Sequence, residues 1–210
     1  MNKRGLFART AAGAFGGMLL IGVAGAAIAD EVGNDQVDVN VNIEAVEPVG
    51  ALTMSVANDS TSLTEVTAAD DTEFREFTGT LPTVTVTDDR EEVPAGVFWY
   101  VNGQSSDFTA TGGLTIGAEN LGWTPALVTE GDGEVAAGDG TVPELDEPTA
   151  PGNNVGLAGA ELLALTLDSN EARTVGSWSA DADLKLKTAA DVEPGSYSAT
   201  ITLTLWEDAY

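Results

Sequence analysis

Apolar side chains recur at every second position along most of this chain, and stretches with helical period are nearly absent. Val37, Val39, Val41 and Ile43 alternate with Asp38, Asn40 and Asn42, the pattern of a strand with one buried face. Leu52, Met54 and Val56 repeat it before a Ser/Thr/Asp-rich connection from Asn58 to Thr72. Phe74 and Phe77 lead through Gly79-Thr80-Leu81-Pro82 into the strand Val84-Thr85-Val86-Thr87, which ends at the polar turn Asp88-Asp89-Arg90. Val97 to Val101 (VFWYV) follows a Pro94-Ala95-Gly96 turn and is the most strand-prone run. Both of its faces are apolar, which predicts a central strand lying between sheets or beneath a loop. Trp178, Ala180, Ala182, Leu184 and Leu186 alternate with polar residues, as do Tyr197, Ala199, Ile201, Leu203 and Leu205. Pro194-Gly195 suits a type II turn between these two long strands, so they are expected to pair as antiparallel neighbours.

Two segments break the alternation. Leu127 to Asn154 is rich in Gly, Asp, Glu, Pro and Ala without apolar period, and reads as a long acidic surface loop. Glu161 to Leu167 fits a short helix or a strand equally well. Many strands with turn signals between them predict an all-β antiparallel sandwich of Ig-like kind, and a barrel is the other closed solution.

The leading residues have a different character. Lys3, Arg4 and Arg9 precede an apolar stretch from Ala11 to Ile28, and Ala27-Ile28-Ala29 is a small-x-small cleavage pattern. Residues 1–29 are therefore expected to be a secretory signal peptide, with an uncleaved anchor as the alternative. Residues 30–72 would supply N-terminal strands or a leader hairpin, and 73–210 the main sandwich. No membrane span is expected after the signal is removed.

Composition then narrows the chemistry. Removing residues 1–29 takes three of the eight basic residues and none of the 34 acids, which leaves five cations and a formal charge of −29. Such a surface repels nucleic acid and anionic membranes and favours cations, basic proteins or uncharged polymers. There is no cysteine, so the fold must hold by packing alone. There is no histidine either, which removes Ser-His-Asp and Cys-His catalysis and the usual zinc sites. A hydrolase would have to use paired carboxylates, and no pair stands out among the acids. No enzyme activity is expected.

The order of the motifs adds a resemblance. Thr83-Val84-Thr85-Val86-Thr87-Asp88-Asp89-Arg90 precedes the tryptophan-bearing strand. Ser106-Asp107-Phe108-Thr109, Leu121-Gly122-Trp123-Thr124-Pro125, Gly176-Ser177-Trp178 and the closing strand from Pro194 to Leu205 follow it. From about Phe77 to Leu205 the chain resembles the WxL-domain family of Gram-positive surface proteins, in particular its actinobacterial branch. That resemblance implies a secreted, non-catalytic domain held non-covalently at the cell wall, with peptidoglycan as its partner. The two family motifs fall on Trp99-Tyr100-Val101 and Leu203-Thr204-Leu205. The first ends in valine instead of leucine, and the second begins with leucine instead of tryptophan, with Trp206 beyond it.

Candidate contact residues are Trp99, Tyr100, Trp123 and Trp206, through stacking of aromatic rings on sugars. Packing in the core is the competing role for each, favoured for Trp99 and Trp178, whereas Trp123 in a loop-like setting and Trp206 at a strand end are better placed for contact. Asp88 and Arg90 are expected to pair and pin their turn. Val101, Trp178, Tyr197, Leu203 and Leu205 are expected to be structural. No cofactor is required. The acidic loop offers Asp132, Glu134 and Asp139 as oxygen ligands for Ca²⁺, with a solvated loop as the bland alternative. Two functions follow: wall binding at the cell surface, or a structural or accessory subunit that joins other surface proteins through an exposed strand edge.

Overall fold

The computed structural model describes residues 50–68, 71–146 and 155–210. The signal peptide and the Val37–Ile43 strand expected from the sequence lie outside the described residues. Two antiparallel sheets pack face to face as a β-sandwich, in agreement with the alternating pattern. One sheet has the order β1 (Leu52–Val56), β3 (Phe74–Asp88), β10 (Ser177–Ala189), β7 (Leu121–Leu127), and the two-residue β2 (Thr64–Glu65) also pairs with β3. The other has the order β11 (Ile201–Ala209), β4 (Val97–Ser105), β9 (Glu161–Thr166), β8 (Val135–Ala137). A small hairpin of β5 (Phe108–Ala110) and β6 (Leu114–Ile116) follows β4.

Sequence phase and strand irregularity agree in β3. Leu81 faces inward at an odd position, whereas Val84 and Val86 face inward at even ones. A bulge reconciles them: Ala182 pairs with Leu81 and Ala180 with Val84, so Pro82 and Thr83 stand against the single residue Asp181. Pro82 has no N–H to lose at that irregular position. Gly79-Thr80-Leu81-Pro82 is therefore the middle of one 15-residue strand. A second shift between Val101 and Asn102 lets both Leu163 and Ala164 of β9 enter the core. The Glu161–Leu167 ambiguity resolves as a strand.

Two expectations need correction. The Trp178 and Tyr197 strands are not neighbours: β10 lies between β3 and β7, while β11 pairs with β4 in the opposite sheet. The chain around Pro194-Gly195 crosses between sheets instead of closing a hairpin. The stretch after Leu127 is also more than a surface loop. It contains β8, and Val135, Thr141 and Pro143 are buried. Thr141 exchanges both backbone hydrogen bonds with Trp123, at 2.8 and 2.9 Å. Asp146 then ties this segment to the outer face of β10 through Lys185 and Lys187, the latter at 3.0 Å.

A five-residue helix, α1 (Ser169–Arg173), closes the end of the sandwich before β10. Asp168 caps it by accepting from the Asn170 N–H at 2.8 Å. Trp178 donates its indole N–H to the Ala172 carbonyl at 2.9 Å, which seats the helix on the core. Among the described residues, no helix is long and apolar enough to cross a membrane.

Candidate functional site

The VFWYV run divides its side chains between two environments. Val97, Trp99 and Val101 enter the core, and Phe98 and Tyr100 project from the outer face of the four-stranded sheet. The register of β11 sets Trp206 opposite Tyr100 and Asp208 opposite Phe98. The ladder continues past β11, where Tyr210 N–H donates to the Gly96 carbonyl at 3.0 Å. Four aromatic rings thus form a row. Tyr210 lies 5.0 Å from Phe98 between ring centroids, Phe98 lies 6.1 Å from Tyr100, and Tyr100 lies 6.5 Å from Trp206. The planes differ by 31°, 24° and 18° respectively. Trp206 is 51 % exposed and Tyr210 81 %. The Tyr210 hydroxyl is held by the Leu167 carbonyl at 2.8 Å.

Strand alternation continues this face with uncharged polar groups: Asn102 and Gln104 on β4 stand opposite Thr204 and Thr202 on β11. Gln104 donates to the Ala158 carbonyl at 2.8 Å, which fixes its amide plane. Asp208 is the acid at the aromatic end. The surface therefore combines aromatic rings with amides and hydroxyls, a set that can pack against and hydrogen-bond to neutral polyhydroxylated ligands.

An ionic bridge braces the same end. Arg90 Nη2 lies 2.6 Å from Asp88 Oδ2 on β3 and 2.8 Å from Glu207 Oε1 on β11, so one guanidinium joins the two sheets. Its Nε donates to Asp88 Oδ1 at 2.8 Å, completing a bidentate pair. Hydrogen bonds to Asp88, and secondarily to Glu207, push the Arg90 pKa above its already high ordinary value. Arg173 donates to the Arg90 and Glu91 carbonyls at 2.7 and 2.9 Å, anchoring the turn from below.

The other tryptophans are core residues. Trp99 is 1 % exposed, Trp123 2 % and Trp178 4 %, which removes Trp99 and Trp123 from the contact set. Trp123 sits within β7, where Leu121, Trp123 and Pro125 are all buried. Its six-membered ring occupies the space over Gly103, where an added Cβ would lie 2.5 Å from Cη2. Of the four predicted contact residues, Tyr100 and Trp206 come together on the outer face. The two family-like motifs also lie side by side, with Val101 opposite Leu205 and Gly103 opposite Leu203. Leu203 and Leu205 pack half-buried against the core, as does Tyr197, whose hydroxyl donates to the Glu193 carbonyl at 2.8 Å.

The calcium candidates of the acidic loop are placed as follows. Glu134 turns its carboxylate onto the Asp132 backbone N–H at 2.7 Å, and Asp139 is exposed beyond β8. Among the described residues, no group of three or more acids is placed to hold a metal ion. Among the described residues three carboxyls are lowered from their ordinary values. Arg75, and then Thr67, lower Glu65 by hydrogen bonding, and backbone N–H groups of Phe74 and Glu73 lower Asp71. For Asp146 burial pushes upward, but hydrogen bonds from Lys185 and Lys187 together outweigh it.

Phe98, Tyr210, Asn102, Gln104, Thr202, Thr204 and Glu207 were not singled out by the sequence. The alternation of VFWYV already sets Phe98 beside Tyr100 on one face. The other residues join the site only once β11 is paired with β4.

No family model matches this chain, and no curated protein does. Among solved structures it is similar to a chain from a chaperone–tip adhesin complex of CFA/I fimbriae biogenesis. The identity there is 11 %, over 73 % of this chain and 41 % of that one, with a TM-score of 0.39. It is also similar to a family 123 glycoside hydrolase from Clostridium perfringens that hydrolyses glycolipid glycans. That match has 17 % identity over 62 % of this chain and 18 % of that one, with a TM-score of 0.29. The chain spans less than half the length of either. Neither likeness assigns a role.

Proposed function

We propose that this chain is an exported, non-catalytic surface protein of WxL-like kind whose sandwich holds neutral wall polysaccharide, the glycan of peptidoglycan, on the outer face of its four-stranded sheet. The observation that carries the reading is the row Tyr210, Phe98, Tyr100 and Trp206, continued by amides and hydroxyls and open to solvent at both ends. Electrostatics supports the ligand class. A chain with 34 acids and eight basic residues is repelled by anionic polymers, so attraction must come from contacts that need no charge. Ring stacking and hydrogen bonding meet that condition.

Cosedimentation of the full chain with purified peptidoglycan tests the reading. The protein should pellet with the wall material in the presence of chelator and at high salt, because neither bridging metal nor ion pairing holds it. Tyr100→Ala and Trp206→Ala should stay in the supernatant. Wild-type protein that fails to pellet, or retention that chelator abolishes, would defeat the assignment.

A further inference from the structure

Between the two sheets, on the flank where β11 is the outermost strand, a groove of about 970 Å³ opens to solvent. Its floor is apolar, formed by Leu81, Leu121, Leu184, Leu186, Phe108 and Ile116. One wall is the 58–63 segment with its serine and threonine hydroxyls. The other is the chain from Ser196 through Leu203.

That second wall is a strand edge with no partner strand among the described residues. Thr109 and Ser198 exchange both backbone hydrogen bonds, Ser106 N–H donates to the Thr200 carbonyl, and Tyr210 N–H donates to Gly96. Even-numbered residues therefore bond inward to their neighbours. By the alternation of an antiparallel ladder, the N–H and C=O groups of Tyr197, Ala199, Ile201, Leu203 and Leu205 point outward along the groove. Among the described residues none of these groups has a backbone partner. The same odd-numbered side chains lean inward and are only half-buried, and among the described residues no strand stands beside them. β11 is nine residues long, against seven for β7, five for β1 and three for β8, so it is the longest of the outermost strands among the described residues. A long bare edge beside an apolar trough is the geometry of a sandwich that lacks one strand.

We propose that this groove and edge form a second binding site, which takes an extended segment of another protein with alternating apolar side chains and basic flanking residues. The incoming strand bonds to the odd-numbered main-chain groups of 197–205 and lays its apolar side chains on Leu81 and Leu184. Charge selects the flanks. Asp59 and Glu193 line the groove. The one cation in the lining, Arg75, is committed to Glu65 through two hydrogen bonds of 2.9 and 2.8 Å. A second copy of this acidic chain is disfavoured by the same charge. The site is separate from the aromatic face, since inward-pointing residues and the strand edge form one and outward-pointing residues the other.

The test uses synthetic peptides of alternating valine and threonine, flanked by lysines or by glutamates, and residue-resolved amide exchange in the full chain. With the lysine-flanked peptide, exchange at Leu203 and Leu205 should slow about tenfold or more, while Thr202 and Thr204, already bonded to β4, should change little. The glutamate-flanked peptide should bind about tenfold more weakly at low salt, a gap that closes as salt rises. A central proline in the peptide should abolish protection. Ser60→Trp, which fills the groove from an exposed position, and Ala199→Pro, which deletes an outward N–H, should each prevent binding without lowering the melting temperature appreciably. The proposal is overturned if no peptide slows exchange at Leu203 and Leu205, or if both flanks bind alike at low salt. It is equally overturned if those amides are already protected in the free monomer, or become protected with protein concentration alone.

Discussion

Trp206 and Trp99 are both tryptophans on neighbouring strands of one sheet, yet a single step of strand alternation gives them opposite duties. Truncating Trp99, 1 % exposed, should cost about 3–5 kcal/mol through the cavity left between the sheets. Trp206→Ala removes a half-exposed ring stacked on Tyr100, and should cost about 1 kcal/mol of stability or less. Thermal unfolding of the two variants checks that contrast. Arg90 poses a different problem. Asp88 is only 6 % exposed, so Arg90→Met leaves a buried carboxylate without its cation and should destabilise by about 3–5 kcal/mol. Replacing Asp88 by Asn in the same chain should restore part of that loss, because the stranded charge is gone, and denaturant titration of single and double variants would show it. The pairing was legible from Asp88 and Arg90 standing two residues apart in a turn. Glu207 was not, since it lies 117 residues from Arg90 and meets it only through the β4–β11 ladder.

At the scale of the element, the segment after β7 depends on Asp146. Two lysines on β10 hold its carboxyl below the ordinary value of 3.8 in the folded state. A carboxyl depressed on folding contributes stability that is fully present above its unfolded pKa and lost as pH falls toward the folded value. Acid titration should therefore weaken the wild type as pH drops below 3.8, and Asp146→Asn should be less stable at neutral pH with a shallower acid decline, read as melting temperature against pH. Strands were readable from period two because each has a clear buried face. Their partners were not. Pro194-Gly195 carries good local turn chemistry, but a turn does not say which sheet the chain enters next, and here it lies in a crossover. Trp123 was misplaced for a related reason. Gly122 suggested a loop, whereas a Cβ there would lie 2.4 Å from the Thr141 carbonyl oxygen, so glycine serves close approach between paired backbones. The alternation Leu121, Trp123, Pro125, Leu127 was the signal that marks β7.

For the molecule as a whole, charge and packing oppose each other. A net charge of −26 over 210 residues pushes the surface apart, and a cysteine-free core of interleaved side chains must resist it. Raising salt from about 10 mM to about 150 mM shortens the screening length from roughly 30 to 8 Å, so the melting temperature should rise over that range. A melting temperature that falls instead would mean that the ion pairs of Arg90, Arg75 and Asp146 outweigh the general repulsion. The all-β class was legible because neither cysteine nor histidine offered a competing scaffold and the alternation was long. The acidic loop was harder to read, because the buried residues in its described part, Val135, Thr141 and Pro143, follow no period.

The unequal placement of the four indoles has an optical consequence. Trp99, Trp123 and Trp178 emit from inside the sandwich, whereas Trp206 emits from water on the face assigned to the ligand. A small neutral quencher such as acrylamide should reach one fluorophore in the native state and all four after denaturation. Occupancy of the outer face would shield that single emitter while the others stay dark to the quencher, so ligand capture and loss of fold would leave distinguishable signatures in one cuvette.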